Sequence, residues 1–210
     1  MLSRLQNPLL ILFSLPAILV GLIIHELSHA LMADSLGDPT PRMDGRITLN
    51  PRAHLDFVGT LMLVFFGFGW ARPVRTNPSN FSDRRFGFLW VSLAGPLSNL
   101  MIAFVSMGAL LIARYRFNVG EGLFMSLMEP MVTINLVLFI LNLLPIPPLD
   151  GYNVLRTLLP VRNRSTLWKL ERYGFVLLIA LSFIGVLGMV LSVGVSFFWN
   201  IFERFYGFIL

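Results

Sequence analysis

Four stretches of this chain contain no charged residue at all: Leu5 to Ile24 with 20 residues, Phe86 to Ala113 with 28, Pro130 to Leu149 with 20 and Gly174 to Trp199 with 26. A helix needs only about 20 apolar residues to cross the hydrocarbon of a bilayer. Each stretch therefore predicts a span, and the chain reads as an all-α polytopic membrane protein with about four to five transmembrane helices. Composition agrees, since 56% of the 210 residues are hydrophobic and 13% charged, too little polar surface for a water-soluble domain of this size. A fifth stretch, Phe57 to Ala71, has only 15 residues and is broken by Gly59, Gly67 and Gly69, with Pro73 just beyond. It is too short for a plain span.

The charges between the stretches report topology. The polar gaps Asp34 to Asp56 and Pro145 to Arg172 each hold fewer than 30 residues, so residues 1–210 form a single membrane-embedded domain. The net charge of +5 comes from basic residues scattered between spans, which argues against a nucleic-acid partner. If Phe57 to Ala71 crosses, the 16 Lys and Arg divide 10 to 6 across the membrane, whereas a segment that dips in and returns divides them 12 to 4. Cytoplasmic loops carry the excess of Lys and Arg, which favours the re-entrant path. It places a re-entrant, partly extended segment between the first and second core helices, puts both termini outside, and leaves Asp34 to Arg85 and Pro145 to Arg172 in the cytoplasm. The alternation Arg46-Ile47-Thr48-Leu49 reads as a short strand, with Trp70 to Val74 as its pairing partner.

Near the cytoplasmic end of the first span stands His25-Glu26-Leu27-Ser28-His29. Spacing i, i+4 on a helix puts His25 and His29 on one face, where both imidazoles reach one zinc ion with Glu26 beside them as general base. Ionisable groups at bilayer depth cost roughly 2.5 to 3.5 kcal/mol each, and a divalent metal compensates three of them on adjacent turns. The chain has no cysteine, so a third ligand comes from His54, Asp56, Asp150 or another acid. Asp150 is best placed, where Pro145, Pro147 and Pro148 break a span near the same membrane face. The competing role for Asp150 is an N-cap opening the helix that follows.

Three separated motifs carry a resemblance: His25-Glu26-Leu27-Ser28-His29, Ala94-Gly95-Pro96-Leu97-Ser98-Asn99-Leu100, and Asn142-Leu143-Leu144-Pro145-Ile146-Pro147-Pro148-Leu149-Asp150-Gly151. Together they resemble the site-2 protease family of intramembrane zinc metalloproteases. The resemblance implies one Zn2+ per chain held by His25, His29 and Asp150, water activation by Glu26, and an active site in the membrane near its cytoplasmic face. It also implies a membrane protein substrate within the cell membrane and a re-entrant extended segment after the first motif. Asn142 is then either a donor near the scissile peptide or a helix–helix hydrogen bond. Gly95 and Pro96 read as packing residues, with Asn99 one turn on beside the catalytic helices. His54 is either an auxiliary metal residue or part of a capping piece in which Asp56 precedes an apolar run.

Two other functions fit parts of the pattern. A catalytically idle zinc-binding scaffold predicts a closed four-ligand site, while the ligand set here leaves a position open. A metal-ion carrier predicts acids or histidines at several depths, and Phe86 to Ala113 and Gly174 to Trp199 contain none.

Overall fold

A computed structural model describes residues 8–56, 59, 69, 71–159 and 164–210. Helix α1 covers Pro8–Ser35, followed by two single turns, α2 (Thr40–Met43) and α3 (Pro51–His54). After an extended piece and a 3-10 turn at Pro78–Asn80 come α4 (Arg84–Arg116), α5 (Leu123–Asn142), α6 (Asp150–Leu158), α7 (Arg164–Phe183) and α8 (Val186–Ile209). Helices α1, α4, α5 and α8 are long and apolar enough to cross a membrane. At 1.5 Å per residue, the 33 residues of α4 reach about 50 Å. The protein is an all-α polytopic membrane protein.

The helix ends follow from the sequence. Asp83 caps α4, its side chain accepting from the Arg85 and Phe86 amides at 2.9 and 3.0 Å. Gly185, at φ +81°, breaks the apolar run Gly174 to Trp199 into the end of α7 and the beginning of α8. The run expected as one span is thus two helices, and the crossing helix is Val186–Ile209. Glycine takes up this left-handed conformation without the Cβ clash other residues meet, and hydropathy alone is blind to such a break.

Helices α1, α4 and α5 pack against one another, and α8 leans on α4 and α5. Ala103, Met107 and Leu110 of α4, Met125, Val132 and Leu136 of α5, and Phe202 of α8 form the main apolar core. The rings of Phe104 and Phe202 meet at 5.1 Å, those of Phe139 and Phe198 at 5.2 Å. Helix α1 contributes Ala17, Gly21 and Ala30, buried small residues that let backbones approach.

Among the described residues there is no strand, only an isolated antiparallel bridge between Leu55 and Ala71. The expected strand Arg46 to Leu49 is absent because Arg46 turns inward instead of alternating. Its buried guanidinium donates to the carbonyls of Ala53, Arg72 and Pro73, so a side chain joins the pieces that were expected to pair through their backbones. The Arg72 amide adds a 2.7 Å bond to the His54 carbonyl. Trp70 and the interior of Phe57 to Ala71, apart from Gly59 and Gly69, lie outside the described residues.

Candidate metal centre

Three elements build the centre. Helix α1 presents His25, Glu26 and His29, all less than 9% exposed. Helix α4 supplies an acceptor for each imidazole. His25 Nδ1 lies 2.7 Å from Asn99 Oδ1, and His29 Nδ1 lies 2.7 Å from the Val91 carbonyl. A carbonyl can only accept, so His29 carries its proton on Nδ1 and turns the Nε2 lone pair inward. Val91 stands one residue before Ser92, whose carbonyl has no i+4 amide because that residue is Pro96.

Helix α6 supplies the third group. Leu149, not Asp150, is the N-cap, and Asp150 is the first helical residue. Its carboxylate therefore serves no cap and points across to α1. Gly151 makes this possible, since a Cβ there would collide with the Leu143 carbonyl and lie 2.6 Å from that of Leu144. The start of α6 thus folds back tightly onto the end of α5.

The Nε2 atoms of His25 and His29 lie 3.0 Å apart, and Asp150 Oδ2 is 3.1 Å from the first and 3.2 Å from the second. Neutral imidazoles with Nδ1 protonated bring three electron-pair acceptors to one point, a repulsive arrangement without a cation among them. Tetrahedral zinc with bonds of about 2.0–2.1 Å sets its ligand atoms roughly 3.3 Å apart, close to the triangle observed. The donor set, two imidazoles and one carboxylate with no thiolate, fits zinc and leaves a fourth direction for a reactant. His25, His29 and Asp150 form the group that could hold a metal ion among the described residues.

Glu26 lies on the same turn, and its Oε2 accepts from the Val74 amide at 3.1 Å. Its other oxygen, Oε1, remains for a second partner. The extended piece Ala71 to Asn77 is thus docked directly on the candidate base. Sequence reasoning did not anticipate this contact, because a backbone amide leaves no mark in residue identity.

The remaining candidates fall elsewhere. His54 is fully buried, with Nε2 2.7 Å from the Thr48 carbonyl, outside the three-residue cluster. Asp56 accepts from the Gly59 amide at 2.8 Å, the bond an N-cap makes. Asn142 donates to the Leu138 carbonyl of its own helix at 2.9 Å. Sequence reasoning passed over Asn135, fully buried and 3.0 Å from Asn99 through its Oδ1. The signal was an amide inside the uncharged run Pro130 to Leu149, where a polar side chain must find a partner.

Known proteins resemble this chain over more than three quarters of its length. Residues 107–185 match peptidase family M50. The Bacillus subtilis (strain 168) protein named "Putative zinc metalloprotease YwhC" is 40% identical over 171 residues, covering 78% of this chain and 77% of that one. Two mycobacterial proteins, each named "Putative zinc metalloprotease Rip2", are more distant. The one from Mycolicibacterium smegmatis is 29% identical over 168 residues and the one from Mycobacterium tuberculosis (strain H37Rv) 31% over 171, each match covering 78% of this chain and 63% of the relative. No solved structure matches. The peptidase family match and the relatives named zinc metalloproteases make the chain a zinc metalloendopeptidase by class. This chain belongs to peptidase family M50, the site-2 protease family.

Proposed function

We propose that this chain is an intramembrane zinc endopeptidase, residues 1–210 acting as one catalytic domain, that cuts a peptide bond in or near a transmembrane segment of a membrane protein substrate. His25, His29 and Asp150 hold the metal, and Glu26 is the base. The observation that carries this reading is the triangle of three acceptor atoms, 3.0 to 3.2 Å on a side, on the same helical turn as the Glu26 carboxylate. Bound there, zinc supplies Lewis acidity, lowering the pKa of a water and polarising the scissile carbonyl.

The chain's own residues do the rest. Glu26 takes a proton from the attacking water as the water oxygen bonds to the carbonyl carbon, then returns it to the nitrogen as the C–N bond breaks. The Val74 amide holds Oε2 and leaves Oε1 to take the proton. Asn142 has a second amide hydrogen beyond the one given to Leu138, and is the candidate donor to the developing oxyanion. A helical substrate shields its carbonyls in its own hydrogen bonds and must unwind locally. The extended piece Ala71 to Asn77, held against Glu26, is where an unwound segment would lie, pairing with the backbone groups from Val74 to Thr76. Proline at Arg75 or Thr76 that left cleavage unchanged would defeat that mode of presentation.

The test is cleavage of a reporter transmembrane peptide by the purified chain in detergent, with zinc content measured in parallel. Glu26→Gln is expected to retain zinc and to lose cleavage by at least about a thousandfold, the scale of a lost general base together with its charge. Equal cleavage by Glu26→Gln and wild type would remove Glu26 from the mechanism.

A further inference from the structure

Beyond the metal ligands lies a chain of buried amides in which every donor and acceptor is forced. It begins at the Met131 carbonyl on α5, which can only accept. Asn135 Nδ2 donates to it at 2.8 Å, so the Asn135 oxygen must face the other way, towards α4. There Asn99 Nδ2 meets two acceptors, Asn135 Oδ1 at 3.0 Å and the Gly21 carbonyl of α1 at 3.0 Å. Flipping the Asn99 amide would set its oxygen against both. Its Oδ1 is therefore the atom that faces His25 Nδ1 at 2.7 Å. Asn99 and Asn135 are both 0% exposed, so bulk water offers neither a competing partner. A neutral imidazole has one N–H. With an acceptor fixed against Nδ1, the proton resides there and the Nε2 lone pair is turned into the triangle.

We infer that Asn99 is a positioning residue that fixes the tautomer and ring orientation of His25 for metal binding, and that Asn135 and the Gly21 carbonyl set the polarity of Asn99. This rests on His25 being a zinc ligand. The two histidines differ in how they are held: His29 uses a main-chain carbonyl, which no side-chain substitution removes, while His25 depends on one side chain from another helix. The relay also joins α1, α4 and α5 at a single point. Gluing helices needs only the Asn99 amide hydrogens, already directed at Gly21 and Asn135. The Oδ1 contact with His25 goes beyond that need.

The test is zinc affinity, read by competition with a chelating dye, together with the visible spectrum of the cobalt(II)-substituted protein, which reports ligand geometry. Asn99→Leu removes the acceptor and is expected to weaken zinc binding roughly 10- to 100-fold, the scale for losing the partner of a ligating histidine, and to shift the cobalt bands. Asn99→Asp keeps an oxygen against His25 Nδ1 but sets its second oxygen against the Gly21 carbonyl and Asn135 Oδ1, so it is expected to bind zinc with an affinity between wild type and Leu while keeping a wild-type cobalt spectrum. Asn135→Leu leaves Asn99 only one of its two anchors and weakens binding in the same direction by less. Melting of the metal-free proteins reports packing separately. If Asn99→Leu does not fold, Asn99→Ala makes the same comparison with less bulk. Leu or Ala binding zinc as well as wild type would overturn the inference, and so would Asp losing as much affinity as Leu. His25→Ala is the arm for the underlying reading: undiminished zinc there removes His25 from the ligand set, whereas lost zinc there with unaffected Asn99 variants overturns only the role of Asn99.

Discussion

Gly95 leaves α4 almost no room for change. A Cβ at this position would strike His29 Nε2 and come within 2.7 Å of His25 Nε2, on the very atoms that converge on the metal. Elsewhere in a helix, replacing glycine by alanine is favourable by about 0.5–1 kcal/mol. Gly95→Ala is expected to lose that gain to the displaced, buried imidazoles: zinc binding weaker by at least about tenfold, the scale on which ligand support is lost, with metal-free melting no higher than wild type. Asp38 answers a different residue-scale question, what anchors the loop after α1. It is fully buried and accepts from the Thr40 amide and hydroxyl, the Asn77 amide and the Asn80 side chain. Burial alone pushes its carboxyl up, and the four donors outweigh it, leaving a pKa below the ordinary 3.8. A depressed pKa makes the charged form the stabilising one. Its contribution is whole above about pH 4 and disappears as pH falls through the lower folded value. Asp38→Ala is expected to cost on the order of 2–3 kcal/mol at neutral pH. Asp38→Asn should flatten the acid limb of a melting-versus-pH curve.

At the scale of elements, α8 tests whether the bundle and the centre are separable. Gly108 of α4 lies under the ring of Tyr206, where a Cβ would come within 2.6 Å of its hydroxyl end, and that hydroxyl donates to the Phe104 carbonyl at 3.2 Å. Gly108→Leu should push α8 off α4 and lower stability in detergent by about 1–3 kcal/mol. Zinc content should hold, because the centre is built from α1, α4 and α6 without α8. Loss of zinc in that variant would mean the helices are coupled more tightly than their contacts imply. The same elements mark what sequence could reveal. Uncharged runs disclosed α1, α4 and α5, because excluding charge is what hydrocarbon demands. His25 and His29 were legible through helical spacing, and Asp150 through the prolines ahead of it. The break at Gly185 was not, since it interrupts an apolar run with no change in polarity. Arg46 to Leu49 misled because alternation assumes that charged side chains face water, whereas this arginine is buried on three carbonyls. Asn135 was visible as a letter, but its meaning depended on Met131 and Asn99, on two helices whose pairing only the fold reveals.

For the whole molecule, the open question is which way the bundle faces. The centre gathers the end of α1, the beginning of α4, the end of α5 and the start of α6 at one end, where most of the arginines also lie. Arg114 and Arg116 close the far end of α4. Tyr206 packs on Gly108, which carries α8 towards that far end, so Arg204 belongs with Arg114 and Arg116. By the positive-inside rule the arginine-rich end is cytoplasmic, which we propose as the orientation of the centre, with the C-terminus outside. The chain has no native cysteine, so single cysteines can be labelled without background. Glu121→Cys, in the exposed turn between α4 and α5, and Leu210→Cys are expected to react with a membrane-impermeant maleimide in intact cells. Ser79→Cys, exposed in the turn ahead of α4 at the same end as the centre, should react only after the membrane is opened. The reverse pattern would put the centre at the outer face and require substrates cut from that side. If Leu210→Cys behaves like Ser79→Cys while Glu121→Cys reacts in intact cells, the orientation of α1, α4 and α5 stands, and it is α8 that fails to cross.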